Sequence, residues 1–215
     1  MADIVLINPR FEVSFWGMEG ALPFMGKRAN LPVASLPLLA ALTPGEHTVT
    51  LMDENVEAIN YERCAKADIV GITGMSVQRF RMKEILTELK RRGCFCAVGG
   101  PLVTVMEDYF DGLADVIFIG EAEETWPQFL SEWKQGLNQY RYEQIEKSDM
   151  AKVPTPRFDM LKMRHYAFGR NGNSIVSRIS TMPNCPRRVL PCGCSLKRNN
   201  ARSCSAISIP MKSAM

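Results

Sequence analysis

The sequence predicts an α/β protein: a five-stranded, doubly wound parallel sheet with helices on both faces and a poorly structured C-terminal tail. Three observations predict it. Short apolar runs of four to six residues recur through residues 4–119, each closed by Gly, Pro, Asp or Asn. Segments of helical character separate them, which is the pattern of strand–helix–strand crossovers. Strands this uniformly apolar are covered on both faces, as parallel sheets are.

Each element follows from its own residues. Ile4-Val5-Leu6-Ile7 is a first strand, ended by Asn8-Pro9. A Gly-rich loop runs from Arg10 to about Ala34. The segment from Ser35 to Leu42 forms a capped helix, with Pro37 in its first turn where no amide donor is needed, and Pro44-Gly45 stops it. Thr48 to Met52 alternates as a second strand ending at Asp53, and Val56 to Lys66 is expected as a second helix. Asp68 to Thr73 is a third strand, followed by a helix from Ser76 to about Arg92. Phe95 to Val98 is a fourth strand closed by Gly99-Gly100-Pro101, with a shorter helix from about Val103 to Phe110. Asp115 to Ile119 is a fifth strand ended by Gly120. Glu123 to Lys134 is a fifth helix that sets Trp126, Phe129, Leu130 and Trp133 on one side. Right-handed crossovers favour the strand order 2-1-3-4-5, the flavodoxin-like, Rossmann-type arrangement.

Composition narrows the function classes. The chain has 215 residues with 46% hydrophobic content, enough for one self-sufficient core. No apolar run reaches the roughly 18 residues that a membrane span needs. The N-terminus lacks a basic region with a cleavage site, so secretion is not expected. Seven cysteines at irregular spacing then read as reduced thiols of a cytoplasmic protein. The net charge of +3 hides an asymmetry. Residues 1–159 carry 16 basic and 23 acidic side chains, a net of −7; residues 160–215 carry 10 basic and no acidic ones, a net of +10. A break this sharp marks a boundary. The α/β domain is assigned to 1–137, a linker to 138–169 and a basic, Cys-containing tail to 170–215.

Open parallel sheets bind ligands at the carboxyl ends of their strands. Those ends are Asn8-Pro9, Asp53, Thr73-Gly74 with Ser76, Gly99-Gly100-Pro101, and Gly120-Glu121. The Gly99-Gly100-Pro101 turn suits close backbone approach to a ligand, and equally a tight turn needed only by the fold. Thr73 and Ser76 offer hydroxyls, though Ser76 equally reads as a helix cap. Asp53 suits a ribose, a cation or the cap of the next helix. Glu121 sits among acids that a helix N-terminus favours by itself. A nicotinamide site lacks G-x-G-x-x-G, a phosphate loop lacks Gly-Lys-Ser/Thr, and a phospho-receiver lacks paired acids after the first strand. With only His47 and His165, no Ser/His/Asp arrangement is available, and His47 reads as a surface residue.

Taken in order, these segments carry a resemblance. Ile4 to Pro9, Leu36 to Leu42, Leu51 to Glu54, Asp68 to Thr73, Val98 to Pro101 and Asp115 to Glu124 follow one pattern. The chain resembles the N-terminal cobalamin-binding domain of the cobalamin-dependent radical S-adenosylmethionine enzymes. The resemblance covers about residues 3–168, including Val153 to Leu161, which in the family leads toward the radical domain. It implies a cobalamin over the carboxyl edge of the sheet, held by Thr73, Ser76, Gly99, Gly100, Pro101, Gly120 and Glu121. The D-x-H-x-x-G motif is absent, so no lower histidine ligand is implied.

The tail departs from the family. Relatives continue into a barrel whose C-x-x-x-C-x-x-C holds an iron–sulfur cluster that binds S-adenosylmethionine. Here Cys185, Cys192, Cys194 and Cys204 do not match that spacing, and residues 170–215 are too few for a barrel of about 200 residues. The tail reads as the product of a frame shift or truncated gene after about residue 169, its rival being a genuine basic tail. The function expected is that of a cobalamin-binding domain lacking its catalytic barrel, and inactive alone. The alternatives are a flavodoxin-like nucleotide-binding protein and a nucleic-acid binder acting through the tail, the latter not favoured.

Overall fold

The computed structural model describes residues 1–14 and 17–167. The expectations for the tail at 170–215 lie outside them. The sheet has six strands in the order β2-β1-β3-β4-β5-β6, with every neighbouring pair parallel. They are β1 (Asp3–Asn8), β2 (Thr48–Asp53), β3 (Ile69–Thr73), β4 (Cys96–Gly99), β5 (Val116–Gly120) and β6 (Arg141–Gln144). The first five follow the expected order. The sixth corrects the expected count: the polar run Arg-Tyr-Glu-Gln adds itself to the outer edge of β5, Phe118 opposite Tyr142. Tyr142 anchors it by stacking on Phe118 with ring centroids 5.4 Å apart.

Among the described residues, five α-helices flank the sheet: α1 (Ser35–Leu42), α2 (Tyr61–Cys64), α3 (Arg79–Arg91), α4 (Pro101–Val105) and α5 (Thr125–Lys134). Alternation along the strands divides the core. Val5, Ile7, Val70, Ile72 and Val98 face α2, α3 and α4, where Met82, Ile85, Leu86 and Leu89 meet them. Ile4, Leu6, Ile69, Ala97 and Phe118 face α1 and α5, meeting Leu36, Trp126, Phe129 and Leu130. Trp126 also donates from Nε1 to Thr43 Oγ1 at 2.9 Å, tying α5 to the end of α1. A third, smaller cluster joins Ala29, Val56, Leu161 and Tyr166.

Several helix boundaries differ from the sequence reading, each for a local reason. The second helix is one turn, because Asp53 holds residues 54–57 in a loop: its carbonyl accepts from the amides of Val56 and Glu57, both at 3.0 Å. Asn60 then caps α2, accepting from the Arg63 amide at 3.0 Å. Ser76 does not cap the third helix. Residues 76–78 form a 3-10 turn across which Gln78 Oε1 accepts the Met75 amide at 2.8 Å, and α3 starts at Arg79 without a side-chain cap. The fourth helix starts earlier, at Pro101, and is followed by a 3-10 turn over Glu107–Phe110.

His47 is buried rather than on the surface, its side chain only 1% exposed. Its Nδ1 accepts the Ala2 amide at 3.2 Å, which requires the neutral ring. Burial pushes its pKa below the usual 6.5. The unfolded chain therefore binds a proton near pH 6.5 that the folded chain refuses, and stability falls as pH drops through that value. Thermal melts followed by circular dichroism at pH 7.5 and 5.5 are expected to show a lower midpoint at the acid end, and His47→Gln to remove most of the difference. His165 shifts in the same direction, so an unaltered pH dependence in the His47 variant would assign the effect elsewhere.

Candidate functional site

A cleft of about 220 Å³ opens at the carboxyl edge, on the face covered by α1 and α5. Its floor is Leu6, Gly71, Ala97 and Phe118, its walls are Leu36 and Trp126, and its mouth is formed by strand ends. Small residues make the space. Gly71 lies inside β3, where neighbouring strand positions carry Val70 and Ile72, and a Cβ there would come within 2.7 Å of Leu6 Cδ2. A Cβ on Gly99 would lie 3.2 Å from the Cβ of Phe118.

Of the residues expected at the site, Thr73, Gly99, Gly100, Pro101, Gly120 and Glu121 line this cleft. Gly100 takes φ +99°, which lets the chain pass against Thr73 and Gly74 before Pro101 opens α4. Thr104 bridges two strand ends, donating to the Gly100 carbonyl at 3.2 Å and accepting from the Gly120 amide at 3.1 Å. Glu121 is already engaged: its carboxylate accepts from the Ser148 amide at 2.8 Å, and that bond holds its pKa below the ordinary value.

Asn8, Pro9, Asp53, Gly74 and Ser76 do not line the cleft. Asn8 and Asp53 are buried in a hydrogen-bond network, with Asn8 Nδ2 donating to Asp53 Oδ1 at 2.9 Å. Asp53 accepts from Asn55 and Tyr166 as well, so it is neither the expected helix cap nor open to a ribose. The Pro9 carbonyl accepts from Gln78 Nε2 at 2.5 Å. Gly74 is buried and Ser76 exposed beside the mouth. The sequence reading missed Gly71, Leu36, Phe118 and Trp126. Gly71 alone carried a readable signal, since an isolated glycine inside an apolar strand marks a close approach.

The edge bears apolar side chains out of proportion to a solvated surface. Phe24 is 93% exposed, Val13 85% and Leu31 60%, all in the loop between β1 and α1. Met75, Val77 and Phe80 are about half exposed after β3. Glu54 fixes this region from below. Burial would raise its pKa, but Arg81, gripping both carboxylate oxygens, and the Arg10 amide hold it below normal.

Among the described residues, no cysteine or histidine lines the cleft. Cys64 and Cys96 are buried, and desolvation pushes their thiols up to about 11 and about 12. They are core residues, unreactive as thiolates. Among the described residues, no three His, Cys, Asp or Glu side chains gather as a metal site. Within the described residues, no helix is long and apolar enough to cross a membrane. What the arrangement offers is an apolar, glycine-walled slot under a backbone-rich edge, suited to holding a large flat ligand.

Residues 30–130 match the family model described as the B12 binding domain. Over those residues the chain is similar to B12-binding domains. The resemblance read from the strand ends is borne out to that extent, and cobalamin is the cofactor of such domains. An uncharacterized methyltransferase of Synechocystis is 34% identical over 163 residues, covering 75% of this chain and 30% of the relative. A hopanoid C-2 methylase of Rhodopseudomonas palustris is 27% identical over 77% of the chain and 32% of the relative. A bacteriochlorophyllide d C-8(2)-methyltransferase of Chlorobaculum tepidum is 32% identical over 51% of the chain and 24% of the relative. The chain thus spans a third or less of the length of these curated relatives. The matched residues span α1 and β2 to β5 and run into α5, and they include the whole cleft floor except Leu6.

Proposed function

We propose that this domain binds cobalamin with the corrin lying across the carboxyl edge and the flat benzimidazole end of its nucleotide tail inserted in the cleft. The observation that carries the reading is the glycine-walled slot: Gly71, Gly99 and Gly100 line it without side chains, and a Cβ at Gly71 or Gly99 would press on Leu6 or Phe118 of its floor. Leu6, Leu36, Phe118 and Trp126 supply apolar contact for a heteroaromatic ring. Thr73, Ser76 and the backbone at Gly99 to Pro101 would meet the amide fringe of the corrin, with Gly120 and Glu121 on the opposite side. When bound, the cobalt would carry the transferable methyl group of a methylase. Full-length relatives of the radical S-adenosylmethionine type add a cluster-bearing barrel for this. The sequence here has no C-x-x-x-C-x-x-C, so this chain alone is proposed to bind and not to turn over.

The exposed apolar rim agrees with a ligand or further protein covering the edge. Cobalt in this setting would lack a protein imidazole. His47 lies at the opposite, amino end of the strands beside Ala2, and His165 does not line the cleft. Hydroxocobalamin mixed with the protein and passed through a desalting column is expected to co-elute near one per chain. After reduction to cobalt(II), the electron paramagnetic resonance spectrum is expected to show no nitrogen splitting, from histidine or from benzimidazole. Splitting from the benzimidazole nitrogen would remove the ring from the cleft, and splitting from a protein imidazole would refute the lack of a histidine ligand.

A further inference from the structure

Residues 158–167 fold back onto the carboxyl edge. The amides of Arg28 and Ala29 both donate to the His165 carbonyl, at 2.9 and 3.2 Å, and the Ala167 amide donates to the Ala29 carbonyl at 2.9 Å. Lys27 Nζ reaches the Arg164 carbonyl at 2.7 Å, and Lys162 pairs with Glu57. This strap buries Tyr166 completely, against Ala29, Val56 and Leu161.

The Tyr166 hydroxyl begins a buried relay. It donates to Asp53 Oδ2 at 2.7 Å. Asp53 Oδ1 accepts from Asn8 Nδ2 at 2.9 Å, and Asn8 Oδ1 accepts from Gln78 Nε2 at 3.1 Å. Gln78 Oε1 accepts the Met75 amide at 2.8 Å. Residues separated by 113 positions are joined at one end of this chain and by 70 at the other. The relay crosses the ends of β2 and β1 and finishes in the loop after β3. That loop holds Gly74, whose carbonyl accepts the Leu102 amide at 3.3 Å and so positions α4 behind the cleft mouth. Tyr166, Asp53, Asn8 and Gln78 are all at most 3% exposed, so each bond lies in low dielectric and none is exchanged freely for water.

We infer that Tyr166 is a positioning residue for the ligand edge: the seating of strap 158–167 sets, through Asp53, Asn8 and Gln78, the conformation of the Gly74–Ser76 loop that follows Thr73 of the cleft lining. The inference rests on the cobalamin reading for the identity of the ligand, and on the relay alone for the coupling. Coupling of this kind is reciprocal. A seated strap favours the bound form, and bound cobalamin favours the seated strap. The phenol suits the task because burial and the neighbouring Asp53 carboxylate raise its pKa far above the ordinary value, so it remains a donor at every working pH.

Tyr166→Phe keeps the ring in its pocket and removes the one hydroxyl, so the fold is retained while the relay is cut. Asp53→Asn is the second variant, of the same shape and without the charge. Hydrogen exchange, trypsin cleavage after Arg164 and titration with hydroxocobalamin are the readouts, all on the full chain. In Tyr166→Phe without ligand, exchange over residues 74–78 is expected to quicken about tenfold, the effect of one hydrogen bond to a charged group. Exchange over residues 125–134, remote from the relay, should stay unchanged. Hydroxocobalamin is expected to slow cleavage after Arg164 in the wild type, and to bind about tenfold more weakly to both variants. Unaltered exchange over 74–78 would overturn the inference whether or not cobalamin binds. So would equal affinity for hydroxocobalamin in a wild type that binds it and in the variants. Quickened exchange in a protein whose wild type binds no hydroxocobalamin would uphold the relay and overturn the cobalamin reading.

Discussion

Gly100→Val is expected to cost the domain most of its stability, with a thermal midpoint about 10 °C or more below wild type. Two independent terms produce this. The backbone at Gly100 sits at φ +99° and ψ −179°, a region open to glycine and strained for any residue with a Cβ by about 1–3 kcal/mol. A Cβ there would also lie 2.5 Å from Thr73 Oγ1 and 3.1 Å from both the nitrogen and the oxygen of Gly74. The last two are backbone atoms, and the Gly74 carbonyl accepts the Leu102 amide, so they cannot step aside without moving β3 or α4. Overpacking of this kind adds about 1–3 kcal/mol. The sum is a large part of the roughly 5–15 kcal/mol by which domains are stable. Gly45→Ala is the control, since a Cβ there meets nothing within 4 Å. Circular dichroism melts of both variants decide the matter, and a Gly100 variant melting with wild type would show that the turn can relax. One consequence concerns the ligand: the sequence suggests Gly100 as a probe of corrin contact, yet a side chain there collides with the protein first.

The first five strands were legible because each is a short apolar run between punctuating residues, and burial on both faces leaves no polar position to blur the pattern. The sixth strand was not. Of Arg141, Tyr142, Glu143 and Gln144 only Tyr142 is buried, and an edge strand needs no more than that one inward side chain. Its hold comes from Phe118 and from a Tyr142 hydroxyl donating to Glu132 at 2.5 Å, partners that local reading does not place. The expected helix from Val56 began too early, because the deciding contacts came from the Asp53 carbonyl, which accepts the amides of Val56 and Glu57. His47 read as surface because nothing local shows that the Ala2 amide would point at it. The glycine-rich mouth of the cleft was legible from strand ends, since glycine before a turn has few other uses. The floor was hidden, because Leu6, Phe118 and Trp126 look the same whether they pack against each other or line a slot. Asp53 and Asn8 were legible as notable strand-end residues, but not their network, because their partners Tyr166 and Gln78 arrive from 113 and 70 residues away.

Gly71→Val is expected to abolish tight cobalamin binding while leaving the fold in place. Gly71 is on the cleft side of β3, between Ile69 and Thr73, and has an ordinary backbone conformation. The atom its Cβ would approach most closely, at 2.7 Å, is the tip of Leu6, the free end of a flexible side chain, and the next is the Val5 carbonyl at 4.0 Å. Leu6 can therefore turn aside, and the open space available to it is the cleft. Valine favours a central strand, and its added apolar area offsets the displacement, so stability should change by no more than about 1–2 kcal/mol. For the ligand the same change is severe. The valine methyls and the displaced Leu6 would occupy the floor of a space of about 220 Å³, leaving no room for a benzimidazole. A loss of about a hundredfold in affinity corresponds to about 2.7 kcal/mol, a modest share of what burying a bicyclic ring contributes. Gly71→Ala fills less of the slot and should fall between the two. Absorbance titration with hydroxocobalamin across wild type, Ala and Val, alongside melts that confirm folding, measures the series. A folded Gly71→Val variant that binds as wild type does would mean that the ligand stays above the edge, and that the slot between β3 and α1 serves packing alone.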